Sequence, residues 1–82
     1  MKQLLYFTAT WCGPCKSFRP LMENLSSQIN VQFVDIDSNP GMAQTYGVRN
    51  IPTTILVKDG VEVSRFTGSK PAQQILESYY NG

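Results

Sequence analysis

The sequence has no histidine and only two cysteines, Cys12 and Cys15, and these shortages exclude a good deal. Without histidine there is no imidazole base for a nucleophilic triad, no histidine-containing facial triad of metal ligands and no histidine pH switch. One cysteine pair is too few for the disulfide framework of a small secreted scaffold. Charge is sparse and nearly balanced: seven Lys and Arg against six Asp and Glu leave a formal +1. Nucleic-acid binding rests mainly on cations that neutralise phosphates, so a nucleic-acid partner is not expected. No apolar run approaches the roughly 20 residues needed to cross a bilayer, and a membrane role is not expected either. The apolar run Leu4 to Phe7 is too short for a signal-peptide core and lacks a small-residue cleavage site. A reducing cytoplasm is the expected location. Repeats, low-complexity segments and linkers are absent, so residues 1–82 are expected to form a single domain. A domain of this size buries only about two-thirds of the surface its unfolded chain exposes.

What is present reads as alternating strands and helices. Leu4 to Thr8 is an apolar, aromatic run without strict alternation, the pattern of a strand covered on both faces. Phe18, Leu21, Met22, Leu25 and Ile29 then recur every three or four residues, which predicts an amphipathic helix. Pro14 suits its first turn, and Pro20 inside it frees the carbonyl of Lys16 and predicts a kink. Val31 to Ile36 reads as the next strand. Asn39-Pro40 reads as an N-cap followed by a first-turn proline, opening a short helix through Met42, Ala43 and Tyr46 that stops at Gly47. Thr53 to Lys58 and Val61 to Thr67 are β-rich runs separated by Asp59-Gly60, a strong hairpin signal. Gly68 breaks the last strand, and a final helix over roughly Pro71 to Tyr80 turns Ala72, Ile75, Leu76 and Tyr79 inward. The order is β-α-β-α-β-β-α, an α/β arrangement with helices on both faces of a mixed four-stranded sheet. Glu62 and Arg65 on the last strand suit a sheet edge.

Cys12-Gly13-Pro14-Cys15 falls where a buried strand hands over to a helix. A thiolate there faces unpaired N–H groups and the positive end of the helix dipole, which lowers the pKa of the first cysteine. Cys12 is expected at the exposed end of the turn as the attacking thiolate. Cys15, one turn in, is shielded and suited to attack a mixed disulfide from within, which would leave an internal disulfide. Lys16 adds positive potential or is simply solvated. Two structural thiols remain an alternative. So does half of a metal site, although a structural zinc needs four ligands and the sequence supplies two cysteines and no histidine.

Trp11-Cys12-Gly13-Pro14-Cys15-Lys16 resembles the active-site motif of the thioredoxin family, and the likeness extends along nearly the whole chain. Pro20 resembles the helix proline of that family. Asp37-Ser38-Asn39-Pro40 and Tyr46-Gly47-Val48-Arg49 resemble the start and end of its next helix. Ile51-Pro52-Thr53 resembles the loop whose proline is cis and faces the dithiol, and Gly60 and Gly68 resemble the hairpin glycine and the glycine flanking the substrate groove. The resemblance implies a minimal thioredoxin-like fold lacking the family's usual first strand and helix, with Val31 to Ile36 left as an edge. It also implies a monomeric protein-disulfide reductase working through a Cys12–Cys15 disulfide with no bound cofactor. Disulfide-containing proteins would be its substrates and a thioredoxin-reductase-like protein its electron donor. Trp11, Gly13, Pro14, Lys16, Ile51, Pro52, Thr53 and Gly68 would form the substrate groove and its support. Substrate would pair with the Ile51 backbone, and Trp11 would contribute contact from a partly exposed ring.

The sequence departs from the family at two coupled positions. Tyr6 and Phe33 stand where its members bury an aspartate and a lysine. Losing both avoids stranding one buried charge, which would cost several kcal/mol. Cys15 is then left without an evident carboxylate base, and slower exchange at neutral pH is expected. Tyr6 is expected to be a core ring whose tip reaches solvent, with a hydroxyl pointing toward the dithiol as the alternative. Three other functions compete. A glutathione-dependent, glutaredoxin-like enzyme is disfavoured by Gly13-Pro14 between the cysteines, where Pro-Tyr is usual. A disulfide-forming oxidant is disfavoured by the missing signal segment. A non-catalytic adaptor makes no use of an intact dithiol.

Overall fold

The computed structural model describes residues 1–82, arranged as β1 (Lys2–Thr8), α1 (Gly13–Leu25), β2 (Val31–Asp35), α2 (Pro40–Thr45), β3 (Thr53–Lys58), β4 (Val61–Thr67) and α3 (Ala72–Asn81). The strands form one sheet in the order β2-β1-β3-β4. β1 runs parallel to β2, with Tyr6 opposite Phe33 and Thr8 opposite Asp35, and antiparallel to β3, with Tyr6 opposite Thr54. The parallel pair is joined by α1, as a parallel connection requires, and the β3–β4 pair by a tight turn. Asp59 (φ 51°) and Gly60 (φ 83°) both take the left-handed conformation that a two-residue hairpin demands.

Alternation along β1 divides the core into two layers. Leu4 and Tyr6 point to one face and pack with Phe18, Met22 and Leu25 of α1, Ile29, Leu56 and Ile75 of α3. Leu5 and Phe7 point to the other with Val34, Ile55 and Val57, covered by Met42, Ala43 and Tyr46 around α2. This is the doubly covered strand expected from its apolar run. Each fully buried large side chain contributes about 1.5–3 kcal/mol, and on so small a sheet both layers are needed. Lys2 locks the far end, donating to the carbonyls of Tyr79 (2.8 Å) and Tyr80 (3.3 Å) at the C-terminus of α3.

Several boundaries differ from the sequence reading for physical reasons. α1 ends at Leu25, because the hydroxyls of Ser26 and Ser27 bond back to the carbonyls of Glu23 and Asn24. Ile29 therefore reaches the core from a turn, not from the helix. β2 stops at Asp35, one residue short of Ile36, although the Ile36 N–H still bonds the Thr8 carbonyl at 3.0 Å. Asn39 occupies the cap position of α2 but its side chain makes no capping bond; its amide instead donates to the Asp35 carbonyl at 3.4 Å. The stop at Gly47 is as expected: φ is 63°, and Val48 N–H bonds the Ala43 carbonyl while Gly47 N–H bonds that of Gln44. On the β4 edge Glu62 and Arg65 pair with each other at 2.7 Å, and Arg65 also donates to the Tyr46 carbonyl at 2.7 Å. That pairing holds the Glu62 carboxyl below its ordinary range.

Candidate active site

The dithiol stands at the junction of β1 and α1. Cys12 is the N-cap of α1, extended at φ −87° and ψ 112°, and its sulfur accepts the Cys15 N–H at 3.2 Å. A cap position is usually filled by a side-chain oxygen that satisfies a free helix N–H. Here the sulfur of Cys12 takes that place. Cys15 begins the buried stripe of α1, which continues through Phe18, Met22 and Leu25. Spacing alone therefore makes the second cysteine a core residue and leaves the first at the rim. The two are joined in a disulfide with Cα atoms 5.2 Å apart.

The accessibility difference between the sulfurs is smaller than the sequence suggested. Cys15 is fully buried and Cys12 only 5% exposed, because Ala9, Ile36 and Ile51 pack around the pair. Trp11, by contrast, is 65% exposed. Its ring is tethered, with the indole N–H donating to Asp37 Oδ2 at 2.8 Å. Asp37 is a site residue that the sequence reading saw only as part of a loop. Lys16 is exposed on the first turn of α1 and has no ion-pair partner. Gly13 has open space where a side chain would project, so nothing inside the protein demands glycine there.

The Ile51–Pro52 bond is cis, and the Cys12 sulfur lies 3.9 Å from the Ile51 carbonyl oxygen. Pro52 and Thr53 are buried while Ile51 is partly exposed, and the Thr53 hydroxyl donates to the Asn50 carbonyl. Gly68, at φ 85°, donates its N–H to the Pro52 carbonyl at 2.8 Å, which ties the end of β4 to the proline loop. Its conformation does require glycine. Cys12, Cys15, Trp11, Ile51, Pro52 and Gly68 are thus gathered at one end of the sheet from three separate segments.

Beneath the dithiol the expected solvent-reaching Tyr6 is corrected. The ring is completely buried, and its hydroxyl donates to the Cys15 carbonyl at 2.9 Å. Edge-on contacts with Phe18 (5.8 Å) and Phe33 (5.6 Å) hold the ring so that its tip rises under α1, away from solvent. Burial raises the Tyr6 pKa, with Thr8 and Arg19 opposing the shift, so the hydroxyl stays a neutral donor. The Arg19 guanidinium lies over the Phe33 ring, 4.7 Å from its centre. No group of three or more His, Cys, Asp or Glu side chains is placed to hold a metal ion. No helix is long and apolar enough to cross a membrane.

A strand-to-helix disulfide whose first sulfur caps the helix, set against a cis-proline loop on a mixed sheet, defines a thiol–disulfide oxidoreductase. The family model for thioredoxin matches residues 1–80, and the chain belongs to the thioredoxin family. It is 43% identical over 76 residues to a thioredoxin of Chlamydia caviae, covering 89% of this chain and 74% of that protein. It is 40% identical over 79 residues to one of Staphylococcus aureus, covering 92% and 76% respectively. Among solved structures, a mutant thioredoxin from Halobacterium salinarum superposes with a TM-score of 0.90 at 34% identity, covering 98% of this chain and 73% of that one. The thioredoxin of Fasciola hepatica gives 0.88 at 34% identity, covering 98% and 79%. The activity is thiol–disulfide exchange through Cys12 and Cys15, with the disulfide itself as the redox centre.

Proposed function

We propose that the exchange runs reductively, on disulfides of other proteins, within a single monomeric domain spanning residues 1–82. The observation that carries this reading is the Cys15 N–H directed at the Cys12 sulfur. In the reduced protein the same donor and the helix N-terminus favour the Cys12 thiolate, which attacks a substrate disulfide and releases the first substrate thiol. Cys15 then attacks the Cys12 sulfur of the mixed disulfide, the second substrate thiol leaves, and the internal disulfide forms.

The remaining site residues serve binding. Trp11, Gly13, Pro14 and Gly68 form the shallow rim against which a polypeptide lies. The Ile51 backbone pairs with the substrate strand, and Pro52, lacking an N–H, leaves that pairing uncontested. Thr53 supports the loop through its bond to Asn50, and Lys16 adds positive potential near the helix start. A contact this small favours loose binding and release after exchange. A thioredoxin-reductase-like donor restores the dithiol, and the reducing cytoplasm is the setting that suits the cycle.

The test is to trap partners with Cys15→Ser, which holds Cys12 in its mixed disulfide. Capture of polypeptide substrates, together with turnover by a thioredoxin reductase, supports the reading. Capture of glutathione alone, with turnover by glutathione and its reductase, replaces it with the glutaredoxin-like one. Cellular activity that survives loss of both cysteines would point to an adaptor.

A further inference from the structure

Cys15 is completely buried, yet it must lose a proton before its sulfur can attack the mixed disulfide at Cys12. Tyr6 beneath it is a hydrogen-bond donor committed to the Cys15 carbonyl and takes no proton. Beside it lies a partly open cavity of about 510 Å³ with Cys15 in its wall. Neither Cys12, the Ile51–Thr53 loop nor Gly68 lines it, so it borders Cys15 on a side separate from the proposed substrate groove. Thr8, Thr10, Lys16, Arg19 and Asp35 supply its polar wall, and Asp35 is its single carboxylate.

The sheet register puts that carboxylate there. Asp35 pairs with Thr8 across the parallel β1–β2 ladder, as Phe33 pairs with Tyr6 two residues earlier. Both pairs therefore face the helix that carries Cys15. Asp35 Oδ1 accepts the N–H groups of Asp37 (2.8 Å) and Ser38 (3.4 Å), which fixes the side chain, and no protein donor engages Oδ2. The charged groups facing it are Lys16 and Arg19 from α1 and Asp37 from its own loop. β1 contributes the Tyr6 hydroxyl, kept neutral by burial.

We propose that Asp35 accepts the Cys15 proton through water held in this cavity. The inference rests on the exchange reaction proposed above. The Cys15 S–H bond breaks and its proton passes by water to the Asp35 carboxylate. The Cys15 thiolate forms a bond to the Cys12 sulfur, and the bond from Cys12 to the substrate sulfur breaks. The substrate leaves as a thiolate and takes a proton back from Asp35 or from solvent. The dithiol loses two electrons and the substrate disulfide gains them.

The experiment mixes reduced protein with excess of an aromatic disulfide whose released thiol is coloured. Attack by Cys12 gives the first phase of colour and attack by Cys15 the second. Asp35→Asn keeps an oxygen for the Asp37 and Ser38 N–H groups but cannot take a proton. Asp35→Ser, whose hydroxyl also accepts an N–H two residues on, serves if the first variant does not fold. The expected result is a selective slowing of the second phase, by about 100-fold at neutral pH. The gap closes at alkaline pH, where hydroxide takes the proton, and added formate, small enough for the cavity, restores part of the rate in the variant only. A variant profile that superimposes on the wild type overturns the proposal, as does a slowing that persists at alkaline pH and ignores formate. Absence of any coloured thiol from the wild-type protein overturns the exchange reaction itself.

Discussion

The Cys15 N–H lies 3.2 Å from the Cys12 sulfur, so the residue expected to attack substrate also caps the helix that carries its partner. On reduction that N–H and the helix dipole favour the charged form of Cys12. The thiol of Cys12 in a Cys15→Ser variant is therefore expected to titrate below the ordinary value of about 8.5. Alkylation rate and ultraviolet thiolate absorbance followed against pH measure it. A midpoint at or above the ordinary value would falsify the capping role.

Tyr6→Phe removes the 2.9 Å bond to the Cys15 carbonyl while leaving the ring in place. The expected loss is about 1 kcal/mol, a fall in Tm of roughly 4–8 °C. Burial raises the Tyr6 pKa above its unfolded value, so its neutral hydroxyl favours the folded state below the unfolded pKa. That advantage is lost only as pH rises through the higher folded value. Denaturant melts of both proteins are expected to differ by a constant amount from acid to mildly alkaline pH. A difference that shrinks near neutrality would assign the bond another role.

Asp37→Ala frees the Trp11 indole from its 2.8 Å tether. With Trp11 so exposed, the fold is expected to hold within about 0.5 kcal/mol. Tryptophan fluorescence should shift and depolarise, since the sequence has a single Trp. Exchange with a protein disulfide is expected to weaken by about 0.5–1 kcal/mol, roughly two- to fivefold in kcat/KM. Exchange with a small disulfide serves as the control. Equal losses on both substrates would remove Trp11 from the docking surface.

Thr54 is buried between β1 and β4, and its hydroxyl is the one buried side-chain oxygen without a hydrogen-bond partner. Thr54→Val keeps the shape and removes that cost. Stability is expected to rise by about 1 kcal/mol and Tm by roughly 4–8 °C. A fall in Tm would show that the hydroxyl has a partner.

Local signals made much of the fold legible. The apolar run of β1, the Asp59-Gly60 turn and the Gly47 stop each depend on neighbours in sequence, and each lies where it was expected. The cis bond before Pro52 came from family resemblance, since by local sequence alone an X-Pro bond in a folded protein is cis only about one time in twenty. What escaped depends on register. The choice between the two readings of Tyr6 is one such case: its hydroxyl turns under α1 and not to solvent because Phe18 and Phe33 enclose its ring from two other elements. The Trp11–Asp37 bond and the presence of Asp35 and Cys15 in the wall of one cavity follow from the β1–β2 alignment, which pairs residues 27 apart. The helical period also ran on through Ile29, a core contact made from a turn after serine side chains had ended the helix.

β1 is hydrogen-bonded along both edges, and Leu4, Tyr6 and Phe7 within it are completely buried. Its amide protons can therefore exchange with solvent only when the whole molecule opens, whereas the exposed edge strand β4 can fray alone. Cys12 lies on the short turn that follows β1, so the redox centre is attached to the last segment to open. Heat or denaturant should then abolish activity and unfold the chain in one event, with no folded but inactive form between them.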